Sequence, residues 1–218
     1  MRRVEAQAPV RRQTMLYAAV GLTAAAALCM AVGLWDLGQR QNTAPKVVAV
    51  EKAVLSDALN DAPWISSGGE GPVVWLVTAA DCPACRRFEK QVLPGLLDKG
   101  VQARVILVAP REKEVAQPEA EIIAAVAKKR DWVTLQAWMT SGKPSEGAIG
   151  QADRDGYLEW GRASYDRLAV AMKRNDIDLA VPALFWRVGP EWRASVKPDG
   201  RTLAFLRDDV AAIASRDN

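Results

Sequence analysis

Along the chain, apolar and polar positions alternate in blocks that assign most elements. Pro72 to Thr78 is a continuous apolar run, bounded on its N-terminal side by the turn cluster Ser66-Ser67-Gly68-Gly69-Glu70-Gly71. A run of this length with turn signals beside it predicts a strand buried on both faces. Phe88, Val92, Leu93, Leu96 and Leu97 then recur at helical spacing, with Pro94 inside the pattern predicting a kink or break and Gly100 a stop. Gln102 to Ala109, with Val105-Ile106-Leu107-Val108 unbroken, predicts a second buried strand. The opening order is strand, helix, strand, the start of a βαβ unit.

From Pro110 to about Asp176 the strand signal disappears. Ile122, Ile123, Val126 and Ala127 share one face of a helix over 118–129. Asp131 starts another, with Trp132, Leu135, Trp138 and Met139 inward, stopped by Gly142-Lys143-Pro144. These tryptophans read as core rather than as a ligand box. Residues 147–156 read as loop, and 162–173 as a third helix with Tyr165, Leu168, Ala169 and Met172 inward. Asp178 to Arg187 returns to strand, despite Pro182 within it, and Glu191 to Lys197 pairs with it as a hairpin after Gly189-Pro190. Thr202 to Ser215 closes the chain as a helix carrying Leu203, Leu206, Val210 and Ile213.

The N-terminal pattern is different. Arg2, Arg3, Arg11 and Arg12 precede an uncharged run from Met15 to Trp35. As a helix that run spans the roughly 30 Å hydrocarbon core of a bilayer. The sequence behind it, Asp36-Leu37-Gly38-Gln39-Arg40, offers no small-x-small cleavage site, and Gln13-Thr14-Met15-Leu16 after Arg11-Arg12 fits a twin-arginine signal poorly. The expectation is an uncleaved, single-pass anchor over 15–36 in contact with lipid. Residues 1–14 are then cytoplasmic by the positive-inside rule, and the remainder lies across the membrane, in the periplasm of a bacterium. Residues 37–63 read as a linker, in part helical, and 64–218 as the folded domain, with a helical insertion at about 111–176.

Composition narrows the chemistry. The chain has 218 residues, a quarter of them charged, a net charge of +3 and no histidine. Histidine-dependent triads and histidine metal sites are excluded. No basic patch is interleaved with aromatics, so nucleic acid is not an expected partner. Of the three cysteines, Cys82 and Cys85 stand three apart in Asp81-Cys82-Pro83-Ala84-Cys85-Arg86, between the first strand and its helix, and Cys29 lies in the apolar run. A structural zinc site needs four ligands, usually Cys or His, so no metal is expected. A helix N-terminus presents free N–H groups and a positive dipole end, which lower the pKa of a thiolate placed there. Pro83 suits the first helical position. Cys85, one turn on, is in reach to close or resolve a disulfide with Cys82. Asp81 either opposes thiolate formation by its charge or caps the helix, whereas Arg86 favours the thiolate.

The succession of strand, Cys-x-x-Cys at a helix start, strand, helical insertion, Val181-Pro182 opening a strand, hairpin and final helix resembles the thioredoxin fold. With its insertion it is similar to the Dsb family of periplasmic thiol–disulfide oxidoreductases, and the tracts Asp176–Trp186 and Glu121–Met139 resemble those of DsbC- and DsbG-like isomerases. The fold class this implies is α/β, a thioredoxin-like fold with a helical insertion, preceded by one transmembrane helix. The resemblance implies catalysis by Cys82 as exposed nucleophile and Cys85 as resolving thiol. It implies a cis Pro182 facing the disulfide and Val181 as backbone partner of an extended substrate. Asp81, Pro83, Ala84 and Arg86 would tune the cysteine pKa. Expected partners are cysteine-bearing protein substrates and a membrane or periplasmic redox partner, with no cofactor. The chain departs from the pattern at Leu76, where thioredoxin carries a buried acid, at Asp81 in place of an aromatic residue, and in lacking the dimerisation domain of the soluble isomerases. The alternative reading is a thioredoxin-like interaction module whose disulfide is structural.

Overall fold

The computed structural model describes residues 45–49, 51–109, 111, 117–141, 150–198 and 202–214. The expected segments 1–14 and 15–36 lie outside the described residues. Among the described residues no helix is long and apolar enough to cross a membrane. In chain order the elements are β1 (Lys46–Val48), α1 (Lys52–Asp61), β2 (Ile65–Ser66), β3 (Val73–Thr78), α2 (Pro83–Gln91), α3 (Leu93–Leu97) and β4 (Gln102–Leu107). They continue with α4 (Gln117–Lys129), α5 (Trp132–Ser141), α6 (Gln151–Lys173), β5 (Ala183–Val188), β6 (Glu191–Val196) and α7 (Thr202–Ala214).

The strands form one sheet in the order β1-β6-β5-β3-β4-β2. β3 and β4 are parallel, with Leu76 opposite Val105, and every other pair is antiparallel. β3 therefore lies in the middle, bonded to β4 and β5, and its C-terminal end opens onto α2. The inner order β6-β5-β3-β4, with one parallel pair and a helix leaving the central strand, is consistent with a thioredoxin-like fold.

Both faces of the sheet are covered, which is why β3 and β4 read as continuous apolar runs. Successive residues of a strand point to opposite faces. Val74 and Leu76 join Phe88, Leu96, Ile123, Leu135, Trp138 and Leu184 on one side. Trp75 and Val77 join Leu55, Leu59, Leu168, Met172 and Phe185 on the other.

Several expected boundaries move. Part of the stretch 37–63, read as a linker, belongs to the fold: β1 pairs with β6, Val47 opposite Arg193, and α1 packs on α6. Leu55, Ala58, Leu59 and Ala62 form a buried stripe along it, so the described residues from 45 to 63 belong to the folded unit rather than to a tether. The expected loop at 147–156 is helical from Gln151 onward. Gly156 costs that helix only about 1 kcal/mol relative to alanine, which Leu158 packing on the core and the Arg154–Glu121 and Lys128–Asp153 ion pairs to α4 offset. The strand expected from Asp178, β5, starts at Ala183, beyond Pro182, which has no N–H to give a ladder. At Pro94 the helix divides as expected, α2 ending at Gln91 and α3 beginning at Leu93.

Candidate active site

β3, in the middle of the sheet, ends at Thr78, and Ala79 to Asp81 turn the chain into α2. The cap of α2 is Cys82 itself, in extended conformation, with Pro83 at the first helical position. Its Sγ accepts the Cys85 N–H at 3.1 Å, one of the donors that a helix start leaves unsatisfied. Capping by Asp81, one of the two roles open to it from sequence, therefore falls one residue short.

Cys82 and Cys85 form a disulfide, with Cα atoms 5.2 Å apart. Their surroundings differ. Cys85 is fully buried, with 0% exposure, against the sheet. Cys82 is half-buried and Pro83 exposed, so the Cys82 end of the pair lies nearer the surface. Arg86 turns back along the helix, its Nη1 donating to the Ala80 carbonyl at 3.2 Å, and so ties the loop that precedes the disulfide. Ala84 is half-buried at the helix start.

The second wall comes from far along the chain. The Val181–Pro182 bond is cis. The Val181 carbonyl oxygen stands 3.8 Å from Cys82 Sγ, across 99 residues of sequence. The Pro182 carbonyl accepts the Lys197 N–H at 2.8 Å, which locks this loop to the end of β6. Lys197 holds a positive φ of 52° there. The structure thus brings together Cys82, Cys85, Val181 and Pro182, the four residues assigned to catalysis and substrate contact. Between the loop and α2 lies a cleft of about 360 Å³, lined by Ala84, Arg87, Phe88, Pro182 and Lys197 among others.

Glu89 had no place in the sequence-based expectation. It is 4% exposed, and its Oε1 accepts the Thr78 hydroxyl at 2.6 Å while Oε2 has no partner. Burial raises its pKa above the ordinary carboxylate value, against the Thr78 hydrogen bond and the nearby Arg86 and Lys90 charges, which lower it. Its position is legible in retrospect: four residues after Cys85 is one helical turn, on the same face. Leu76, where thioredoxin carries its acid, is buried in the apolar layer that includes Phe88. Among the described residues no cluster of acids and cysteines is arranged to hold a metal ion.

No protein-family model and no curated protein matches the chain. Solved structures similar to it include Proteus mirabilis ScsC in a transitional conformation, at 18% identity and a TM-score of 0.45 over 94% of this chain and 97% of that one. A periplasmic thioredoxin-like protein from Salmonella enterica serovar Typhimurium is 16% identical, with a TM-score of 0.46 over 74% of this chain and 98% of that one. The thiol–disulfide exchange protein alpha-DsbA2 of Wolbachia pipientis is 13% identical, with a TM-score of 0.43 over 76% of this chain and 97% of that one.

Proposed function

We propose that the chain is a membrane-anchored thiol–disulfide oxidoreductase that exchanges disulfides with cysteine-bearing proteins through Cys82 and Cys85. The observation that carries this reading is the asymmetry of the pair. One sulfur belongs to a half-buried residue, caps a helix and lies beside the Val181 carbonyl, while its partner is buried one turn on. An incoming thiolate can approach Cys82 but not Cys85. In the oxidising direction a substrate thiolate attacks Cys82 Sγ, the Cys82–Cys85 bond breaks, and Cys85 leaves with the electron pair. A second substrate thiolate then attacks the substrate sulfur of the mixed disulfide and expels Cys82 as thiolate. Two electrons pass from substrate dithiol to protein disulfide, and the protons of the two substrate thiols are left to the two protein sulfurs or to solvent. The reducing direction is the reverse. The redox partner that re-oxidises or re-reduces the pair sets which direction runs.

As leaving group, the Cys82 thiolate receives the Cys85 N–H and the positive end of α2, both of which stabilise negative charge. Val181 and the loop at Pro182 offer backbone groups to an extended substrate segment. Anchoring rests on the sequence: the uncharged run Met15–Trp35 behind its arginines supports a domain on the far side of the membrane, a compartment that permits disulfides.

The test is a Cys85→Ala variant of the full chain in its native membrane. Without the resolving thiol, Cys82 stays joined to substrate, so non-reducing gels should show covalent complexes that vanish on reduction and in a Cys82→Ala, Cys85→Ala chain. A variant that captures no partner refutes the mechanism. A double variant that keeps its full cellular role favours the interaction-module alternative. Release of the chain from membranes by alkaline carbonate would refute the anchor.

A further inference from the structure

The cleft beside the disulfide has a charge character of its own. Ala84, Arg87 and Phe88 of α2, with Val92 just past its end, recur at helical spacing and form one wall. Opposite stand Pro182 and Lys197. The floor is apolar, because Phe88 and Pro182 are buried, while Arg87 and Lys197 are exposed at the rim. Among the described residues no carboxylate lines the cleft, and neither rim cation has an ion-pair or side-chain hydrogen-bond partner. The other charges of the helix are directed elsewhere: Arg86 to the Ala80 carbonyl, Glu89 to Thr78, and Lys90 to a separate cleft between α2 and α5. Asp81 adjoins Cys82 in sequence but is not part of the lining.

The two cations are also differently held. Arg87 projects from a regular helix. Lys197 is fixed by its backbone, whose N–H is bonded to the Pro182 carbonyl, so its side chain starts from the loop that faces Cys82. A substrate whose cysteine reaches Cys82 must lay its neighbouring residues along that loop. In an extended segment, residues i and i+2 point the same way, about 7 Å apart. A side chain two residues from the reacting cysteine therefore points the same way as the cysteine, toward the loop at Val181 and Pro182 that walls this cleft.

We propose that the cleft selects acidic protein segments, in which a glutamate or aspartate two residues from the reacting cysteine is held between Arg87 and Lys197. This rests on the exchange reading above and names the substrate class for it. The apolar floor takes the methylene stem and the rim takes the carboxylate, so glutamate suits the site better than aspartate. Basic segments meet two unpaired like charges and are rejected.

The test uses the full chain with Cys85→Ala and Cys29→Ser, so that Cys82 is its only thiol. Its probes are peptides of one sequence whose single cysteine carries a thionitrobenzoate leaving group, with Glu, Gln or Lys two residues to either side. Cys82 attacks the peptide sulfur, the mixed disulfide forms, and coloured thionitrobenzoate leaves with the electron pair. The expected result is a second-order rate about tenfold higher for the Glu than for the Lys peptide at low ionic strength, as two exposed ion pairs allow. The ratio should shrink with added salt. It should fall close to one in Arg87→Gln, Lys197→Gln and reverse in Arg87→Glu, Lys197→Glu. Because the readout is a ratio on one protein, partial loss of folding cancels. Equal rates for all three peptides in the parent, or a preference that survives both double variants, overturns the proposal while leaving exchange intact. No reaction with any peptide overturns the exchange reading, and this inference with it.

Discussion

Thr78→Val isolates the contact that pins α2 to the sheet. Thr78 closes β3, is 0% exposed, and gives its hydroxyl to Glu89, the sole partner of a carboxylate that is itself 4% exposed. Valine keeps the shape, so no cavity contributes. What is lost is one hydrogen bond to a group that can be charged, about 1.5–3 kcal/mol when the carboxyl is ionised and about 1 kcal/mol when it is neutral. The pH dependence has a definite sign. Burial raises the folded pKa of Glu89 above its ordinary value. The folded state therefore holds more protons than the unfolded state between the two pKa values, and stability falls as pH rises through that window. Thr78 partly opposes this, so removing it pushes the folded pKa higher and steepens the fall. The cost of Thr78→Val should thus be smallest below the ordinary carboxylate pKa, where the carboxyl is protonated in both states, and should grow as pH rises through the raised folded pKa. At about 2 kcal/mol the thermal midpoint drops by about 4–8 °C for a domain of this size. Denaturant melts of parent and variant across that pH range, repeated on a Glu89→Gln background, give the coupling as a double-mutant cycle. A pH-independent difference, or one below about 0.5 kcal/mol at neutral pH, refutes the assignment.

Two further substitutions test the frame around the site. Leu55→Ala removes a fully buried side chain of α1 and should cost about 2–5 kcal/mol in denaturant unfolding; a loss under about 0.5 kcal/mol would mean that this stretch is the tether its sequence resembled. Gly71→Ala places a Cβ 1.7 Å from the Gly100 carbonyl oxygen, a backbone atom that cannot rotate away. It should cost about 1–3 kcal/mol as the start of β3 shifts, and an unchanged unfolding midpoint would refute that close approach.

What was legible in the sequence was what local physics dictates. β3 and β4 declare themselves because both their faces are buried, and the division at Pro94 follows from a missing N–H. Cys82, Pro83 and Cys85 announce a helix start because capping and spacing are properties of neighbouring residues. α1 was blurred because its buried stripe, Leu55, Ala58, Leu59 and Ala62, is half alanine, and an alanine marks a helix face only weakly. The first turns of α6 were hidden by Gly156, whose local cost is outweighed by tertiary contacts invisible to a window of residues. Glu89 was missed because a charged residue on a helix normally lies at the surface, and only the packed structure reveals Thr78 waiting for it.

The site itself divides along the same line. The spacing of Cys82 and Cys85 says that they can bond, but not which sulfur a substrate meets. That follows from where α2 docks: its first turn sits past the C-terminal end of β3, so the cap residue lies nearer the surface while the residue three on looks into the core. The partner groups lie about a hundred residues away and are brought in by the pairing of β5 with β3 and β6, which sets the Val181 carbonyl against Cys82 and seats Lys197 behind Pro182. On the proposed exchange reading, reactivity is therefore written locally, in four residues at a helix start, whereas the choice of what reacts is written in the register of the sheet. A substitution at Ala84 or Pro83 should move the chemistry of every substrate together; one at Arg87 or Lys197 should move substrates apart.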